Sequence, residues 1–144
     1  AEISDLLDRH PYDLSGGEQQ KAALAKLLLL KPKIMLLDEP TKGLDAHGKN
    51  RLAEILKKLK SDGMTLVTVT HDPEFAAVSA DRCALLFNGK IVSQDVPSAF
   101  FSKNTFYTTA ASRITKGIFE NAVTCDDAVK LCRLNGKKGD RCDE

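Results

Sequence analysis

The sequence predicts an α/β fold, because segments with helical and strand-like patterns alternate along the chain. Two strand-like segments support this. Residues 34–39 (IMLLDE) are apolar up to their two acids, and residues 64–70 (MTLVTVT) run directly into His71. Apolar runs of this kind are typical of parallel strands buried on both faces. Parallel sheets bind ligands at the carboxyl ends of their strands, so the polar residues there are functional candidates.

The composition is that of one globular domain or a part of one. The chain has 144 residues, of which 42% are hydrophobic, and a formal net charge of +1. This charge predicts no strong attraction to nucleic acid or anionic lipid. The longest apolar run, residues 22–30, is interrupted by Lys26 and is too short to span a bilayer. No signal peptide is visible, so we expect a soluble chain that reaches a membrane only through a partner.

The four cysteines form no CxxC pair. A zinc site built from Cys125, Cys132 and Cys142 is an alternative, but no histidine lies near them in the sequence. We therefore expect reduced thiols in a cytosolic protein.

The first half of the chain predicts helix, helix, strand, helix, strand. The chain opens on a helix-like pattern already in progress, which we interpret as a sign of amino-terminal truncation. Ser15 and Glu18 form an S-x-x-E capping box for a helix that ends before Pro32. Apolar residues recur at helical spacing between Gly48 and Lys60.

The second half predicts short helices around a hairpin. Asp72-Pro73 begins one helix, and residues 97–101 form another. Asn88-Gly89 predicts a two-residue type I′ turn between two strands. Beyond residue 102 the composition changes, so we divide the chain into domains 1–102 and 103–144. In the second of these, a mainly helical extension, Thr124 and Asp127 predict the cap of a helix over 126–134, followed by a loose tail.

Four motifs occur in a fixed order: LSGGE at 14–18, IMLLDEP at 34–40, GLD at 43–45, and His71 after a strand. Together they resemble the carboxyl-terminal half of the nucleotide-binding domain of ATP-binding-cassette (ABC) ATPases. The resemblance covers roughly residues 1–102 and implies the P-loop NTPase fold of the ABC type. Within the family the chain is most similar to the energy-coupling-factor ATPases, which drive vitamin and metal-ion uptake.

The resemblance assigns a role to each motif. Ser15, Gly16, Gly17 and Glu18 form the signature, which contacts the γ-phosphate of an ATP held mainly by the opposite cassette. Asp38 orders Mg²⁺, often through its water shell. Glu39 is the general base, His71 is the switch histidine, and Asp45 couples the two sites across the dimer. The catalytic candidates are therefore Glu39, His71 and Asp45, with ATP and Mg²⁺ as cofactors.

The residues alone leave simpler interpretations open. A serine and two glycines at a helix N-terminus present unpaired N–H groups to an anion, but they also make an ordinary cap. Asp45 is equally suited to cap the next helix, and that role is compatible with coupling. A lone histidine such as His71 is more often structural.

The phosphate-binding GxxxxGK[ST] loop of these ATPases is absent from the chain, as is their Gln-containing loop. We therefore expect half of an ATPase domain, inactive alone. Its full-length parent would hydrolyse ATP at the cytoplasmic face of the membrane. The expected partners are a second cassette, separate or fused, and a membrane-embedded coupling subunit, with no nucleic acid.

Two rival functions share these motifs. The first is the ATPase half of a DNA-repair or chromosome-maintenance ABC protein. Three features argue against it: Pro40 directly after the acidic pair, the lack of coiled-coil heptads and the lack of a basic surface. The second is a non-catalytic dimerisation module that only presents the signature. Glu39 and His71 argue against it. The sequence also departs from many transporters at Glu18, where they have Gln, and at Lys42, where a small residue is common.

Overall fold

A computed structural model describes residues 9–104, 107–119 and 121–139. The predicted opening helix lies mostly outside these ranges, as do Phe106 and Cys142. The chain forms two compact units that divide between His71 and Asp72. The domain boundary expected near residue 102 falls inside the second unit and remains a prediction about the sequence.

The described residues of the first unit form two α-helices and two parallel strands. A short 3-10 helix, Pro11–Asp13, precedes the first α-helix. The elements that follow are α1 (Gly16–Leu29), β1 (Ile34–Asp38), α2 (Ala46–Ser61) and β2 (Thr65–Val69). β1 and β2 pair in parallel from Ile34 opposite Thr65 to Asp38 opposite Val69, which confirms the predicted strand pair.

The prediction that both faces of these strands are buried is wrong. Met35 is buried, and so are Leu52, Ala53 and Leu56 of α2, which packs against β2. The opposite face of the strand pair carries Ile34, Leu36, Val67 and Val69, which are between 49% and 73% exposed. Alternate side chains of a strand point to opposite faces, so covering one face leaves the other in solvent. We call these four residues the open sheet face.

The second unit places helices around an antiparallel hairpin. Its elements are α3 (Pro73–Ser79), β3 (Cys83–Phe87), β4 (Lys90–Asp95), α4 (Pro97–Lys103), α5 (Ala110–Thr115) and α6 (Cys125–Gly139). Asn88 and Gly89 have φ of 48° and 72°. Two consecutive positive φ angles are what a type I′ turn requires, so the predicted hairpin is confirmed.

The core of the second unit joins the extension to the hairpin. Cys83 of β3, Phe100 and Phe101 of α4, and Val123 form one buried cluster. The two phenyl rings meet edge to face, with centroids 5.1 Å apart. Burial raises the pKa of the Cys83 thiol, which keeps it protonated and unreactive. Val123 belongs to the predicted extension, so this segment packs on the residues that precede it.

α6 is longer than the sequence predicts. The expected loose tail is wrong for residues 135–139, which remain helical, while 140–144 lie outside the described residues. Thr124 and Asp127 cap the start of the helix as predicted. Extending a nucleated helix adds one hydrogen bond per residue fixed, so a well-capped start can carry it through two glycines. No helix among the described residues has both the length and the apolar character needed to cross a membrane.

Candidate functional site

The start of α1 has the capping-box geometry that the sequence predicts. The Glu18 N–H donates to Ser15 Oγ at 3.4 Å, and the Ser15 N–H donates to Glu18 Oε2 at 2.8 Å. Ser15 Oγ also donates to Glu18 Oε2, at 2.7 Å. The hydroxyl bond from Ser15 and then its N–H bond lower the pKa of Glu18. The serine hydroxyl is therefore engaged by a carboxylate of the protein itself.

The two glycines leave the same helix end open to close approach. Gly16 and Gly17 occupy the first turn of α1, where backbone N–H groups have no intrahelical partner. A Cβ added at Gly16 would meet nothing within 4 Å, and one added at Gly17 would lie 3.4 Å from Leu44 Cδ2. The helix end is accessible at Gly16 and packed against the GLD segment at Gly17. Partial positive charge and open N–H groups suit it to a phosphate.

Asp45 caps α2. Its Oδ1 accepts a hydrogen bond of 2.8 Å from the Gly48 N–H, and a Cβ at Gly48 would lie 2.9 Å from this same oxygen. The structural role that the sequence left open is therefore present. Asp45 directly follows Leu44, whose Cδ2 lies 3.4 Å from the position that a Cβ at Gly17 would occupy. Its expected coupling role remains a prediction.

Asp38 and Glu39 lie at the carboxyl end of β1 but have different backbone environments. Asp38 is the last residue of the strand and is exposed. Glu39 leaves the strand with φ of 46°, in the left-handed region. Its N–H donates to the Val69 carbonyl at 2.8 Å, and its carbonyl accepts from the Lys42 N–H at 3.1 Å. The two residues therefore differ in backbone conformation, although they are adjacent in the chain.

The structure brings Glu39 and His71 together. His71 Nδ1 lies 2.7 Å from Glu39 Oε1. The His71 side chain is 81% exposed and that of Glu39 29%, so the histidine reaches into solvent while the carboxylate is half-buried. This contact arises because β1 and β2 are parallel neighbours whose carboxyl ends meet at the same edge.

Thr70 is a site residue that sequence reasoning missed. Its Oγ1 lies 3.5 Å from Glu39 Oε2 and donates to it. The signal that could have found it is a hydroxyl residue directly before His71 at the end of the second strand. Three consecutive residues, Val69, Thr70 and His71, thus contact Glu39 through its N–H and its two carboxylate oxygens.

The signature and the Glu39–His71 pair remain separate groups. Among the described residues, no hydrogen bond joins residues 15–18 to Glu39 or His71. Nor do three or more His, Cys, Asp or Glu side chains gather there as a metal site. Asp38 could supply one oxygen ligand to Mg²⁺, an ion that keeps several waters and is usually held by one or two carboxylates together with substrate phosphates.

Comparisons with known proteins find similar sequences and folds. The family described as ABC transporter matches residues 1–42. A putative ABC transporter ATP-binding protein of Bacillus anthracis is 48% identical over 128 residues, which is 89% of this chain and 23% of that protein. The chain therefore spans about a quarter of the length of such relatives.

Solved structures extend the likeness to the fold. CbiO1 of Clostridium perfringens, part of the ABC transporter complex CbiONQ, has a TM-score of 0.63 and 31% identity, covering 69% of this chain and 40% of that one. The ATP-binding cassette MJ0796, as a dimer bound to ADP and phosphate, has a TM-score of 0.59 and 33% identity, over 65% of this chain and 40% of its own. The chain has the fold of ATP-binding cassettes, and its sequence is similar to those of ABC transporter ATP-binding proteins.

Proposed function

We propose that this chain is the portion of an ABC importer ATPase that supplies the signature motif, the general base and the switch histidine. The observation that carries the proposal is the 2.7 Å contact between His71 Nδ1 and Glu39 Oε1 at the ends of two adjacent parallel strands. A purely structural module has no need of a half-buried carboxylate held beside an exposed imidazole.

Glu39 is placed to act on water. Its carboxylate would accept the proton of a water molecule as that water attacks the γ-phosphate of ATP, which is general-base catalysis. His71 holds one carboxylate oxygen and is exposed enough to reach a phosphate oxygen as well. Asp38 would hold Mg²⁺ through its water shell, and the ion would neutralise charge on the phosphates.

The signature would serve a nucleotide held by another cassette. The open N–H groups of Gly16 and Gly17 suit a γ-phosphate oxygen. The Ser15 hydroxyl now donates to Glu18, so it must turn from that carboxylate to contact phosphate. The dimeric MJ0796 cassette supports a two-cassette arrangement. Asp45, close to the signature through Leu44, is our candidate for coupling the two sites.

The finer assignment is an energy-coupling-factor importer. The likeness to CbiO1, part of the CbiONQ complex, favours this type. We propose that the full-length parent works at the cytoplasmic face of the membrane, with a second cassette and a membrane-embedded coupling subunit.

The test is ATP hydrolysis by the full-length parent carrying Glu39→Gln. A glutamine keeps the shape of the side chain but cannot take a proton. Steady-state turnover should therefore fall by roughly 10²–10⁴, the usual size of a general-base contribution, while ATP binding is retained. The matched control is Glu54→Gln, at an exposed position on α2, which should leave turnover unchanged. Near-normal turnover in Glu39→Gln would refute the assignment.

A further inference from the structure

α6 presents an exposed stripe that the proposed ATPase function does not use. Cys125, Val129 and Cys132 are all exposed, and their spacing places them within about 60° of one another around the helix. α6 packs against α5, and its half-buried residues Ala128 and Leu131 lie to one side of the stripe. We call Cys125, Val129 and Cys132 the α6 stripe.

One flank of the stripe carries opposite charges at its two ends. Asp126 and Arg133 lie about 90° and about 70° from the centre of the stripe, both on the side away from Ala128 and Leu131. Both side chains are exposed, and within the described part of the chain neither makes a hydrogen bond or an ion pair. The flank is therefore negative near the start of α6 and positive about two turns later.

This pattern is complementary to itself when two helices run antiparallel. A two-fold axis passing between residues 128 and 129 places Cys125 of one copy opposite Cys132 of the other. The same axis brings Asp126 near Arg133 of the second copy, and a two-fold interface repeats each contact twice. In a parallel two-fold pair this flank would instead face the opposite flank of the partner helix, so Asp126 would not meet Arg133 of the second copy.

We propose that the α6 stripe is a docking surface for a second copy of this chain, with the two α6 helices antiparallel. The stripe is small compared with a standard interface, so the contact belongs to the weak, transient class unless another contact adds to it. It uses none of the residues of the signature motif. It requires no nucleotide.

Disulfide cross-linking of the two stripe cysteines tests the antiparallel arrangement directly. Oxidised glutathione added to the full chain, in a Cys142→Ser background, can join Cys125 of one copy to Cys132 of the other. Two thiols lose two protons and two electrons, and one glutathione disulfide becomes two molecules of reduced glutathione. Cys83 is buried and takes no part. We expect a covalent dimer on non-reducing electrophoresis.

Single-cysteine variants distinguish the antiparallel arrangement from the others. Residues 125 and 132 are seven apart, or about 10 Å along a helix, too far for equivalent cysteines to bond across the axis. Cys125→Ser and Cys132→Ser should each fail to cross-link alone, and a mixture of the two should cross-link again. Cross-linking of either variant alone, or failure of the mixture, would overturn the proposal.

Exchanging the charges of Asp126 and Arg133 tests their contact between two copies without changing the cysteines. Asp126→Arg and Arg133→Asp should each reduce the cross-linking yield severalfold, and the double variant should restore it. The matched control Lys130→Asp, on α6 but away from the stripe, should not change it. Circular dichroism confirms that each variant is folded. Equal yields in all of these chains would show random collision and refute a specific surface.

Discussion

At the scale of single residues, Glu39 is held in a strained conformation. A left-handed φ at a residue other than glycine costs on the order of 1–3 kcal/mol and persists only where the surroundings impose it. Here the surroundings are the bonds from the Glu39 N–H to the Val69 carbonyl and from the Lys42 N–H to the Glu39 carbonyl. Strain of this kind concentrates at functional sites, which agrees with the proposed role of Glu39.

Thr70 should act as a positioning residue for Glu39. Its hydroxyl lies 3.5 Å from Glu39 Oε2, a long contact of a kind that often shortens when substrate binds. Thr70→Val removes the donor without changing the volume. In the full-length parent we expect kcat to fall about threefold to tenfold, with KM nearly unchanged. A fall of this size corresponds to the free energy contributed by one hydrogen bond.

Two further variants separate positioning from folding. Thr70→Ser keeps the hydroxyl and should restore kcat. Thr68→Val, two residues earlier on β2, should leave kcat as it is. Steady-state kinetics of the three variants provide the measurement, and a Thr70→Val enzyme with full turnover would refute the role.

At the scale of elements, the start of α6 depends on a reciprocal cap. Thr124 Oγ1 and N–H both donate to Asp127 Oδ2, at 2.7 and 3.0 Å, and the Asp127 N–H donates to Thr124 Oγ1 at 3.2 Å. Burial acts to raise the pKa of Asp127, but hydrogen bonds from Thr124 and the Val123 backbone lower it overall. The cap is therefore strongest when Asp127 is ionised.

This cap predicts a pH dependence with a definite sign. A carboxylate with a lowered pKa in the folded state stabilises the fold above its ordinary value of 3.8. That contribution is lost as the pH falls through the folded-state value. Amide exchange in α6 should therefore accelerate below about pH 4. Thr124→Ala should cost about 1 kcal/mol at neutral pH and weaken this pH dependence. An unchanged exchange profile in Thr124→Ala would contradict the prediction.

The extension should be docked on the preceding residues of the second unit and not loose. Glu74 of α3 accepts a hydrogen bond of 2.6 Å from the Ala110 N–H at the start of α5, 36 residues away. Thr109, which caps α5, is fully buried. We expect slow hydrogen exchange in residues 110–115 and faster exchange in Glu74→Ala. The matched control is Glu54→Ala on α2, and rapid exchange in the unchanged chain would rule out docking.

At the scale of the whole molecule, we expect the open sheet face to promote association of this chain in solution. Two adjacent strands that expose Ile34, Leu36, Val67 and Val69 form a contiguous apolar surface, and such surfaces mark sites of association.

No residue of the chain supplies a phosphate loop. The helix terminus at Ser15 can contribute at most about 2 kcal/mol to phosphate binding, whereas a millimolar Kd already requires about 4.1 kcal/mol.

We therefore expect this chain alone to be inactive and oligomeric. Calorimetry should show no micromolar binding of Mg-ATP, phosphate-release assays no hydrolysis, and light scattering more than one chain per particle. Leu36→Glu should reduce the particle size. Leu134→Glu, at an exposed leucine of α6 outside both apolar surfaces, is the control and should not. A monomer that binds ATP at micromolar affinity would contradict this expectation.

The sequence by itself determined the features that arise from contacts between near neighbours. The Ser15–Glu18 and Thr124–Asp127 caps each join residues three apart, and the hairpin turn depends on Asn88 and Gly89 alone. The order of strands and helices followed from periodicity, and the parallel pairing of β1 and β2 followed from that order. These signals are local, so they could be recognised without coordinates.

Only the tertiary structure decided the features that depend on distant partners. It showed which face of the β1–β2 pair is covered, because burial depends on what packs there and not on the apolar run itself. It revealed Thr70 beside Glu39 and Glu74 at the start of α5, contacts between residues 31 and 36 positions apart. It also extended α6 to Gly139. Contacts of this range follow from how the chain folds back on itself, so no local pattern announces them.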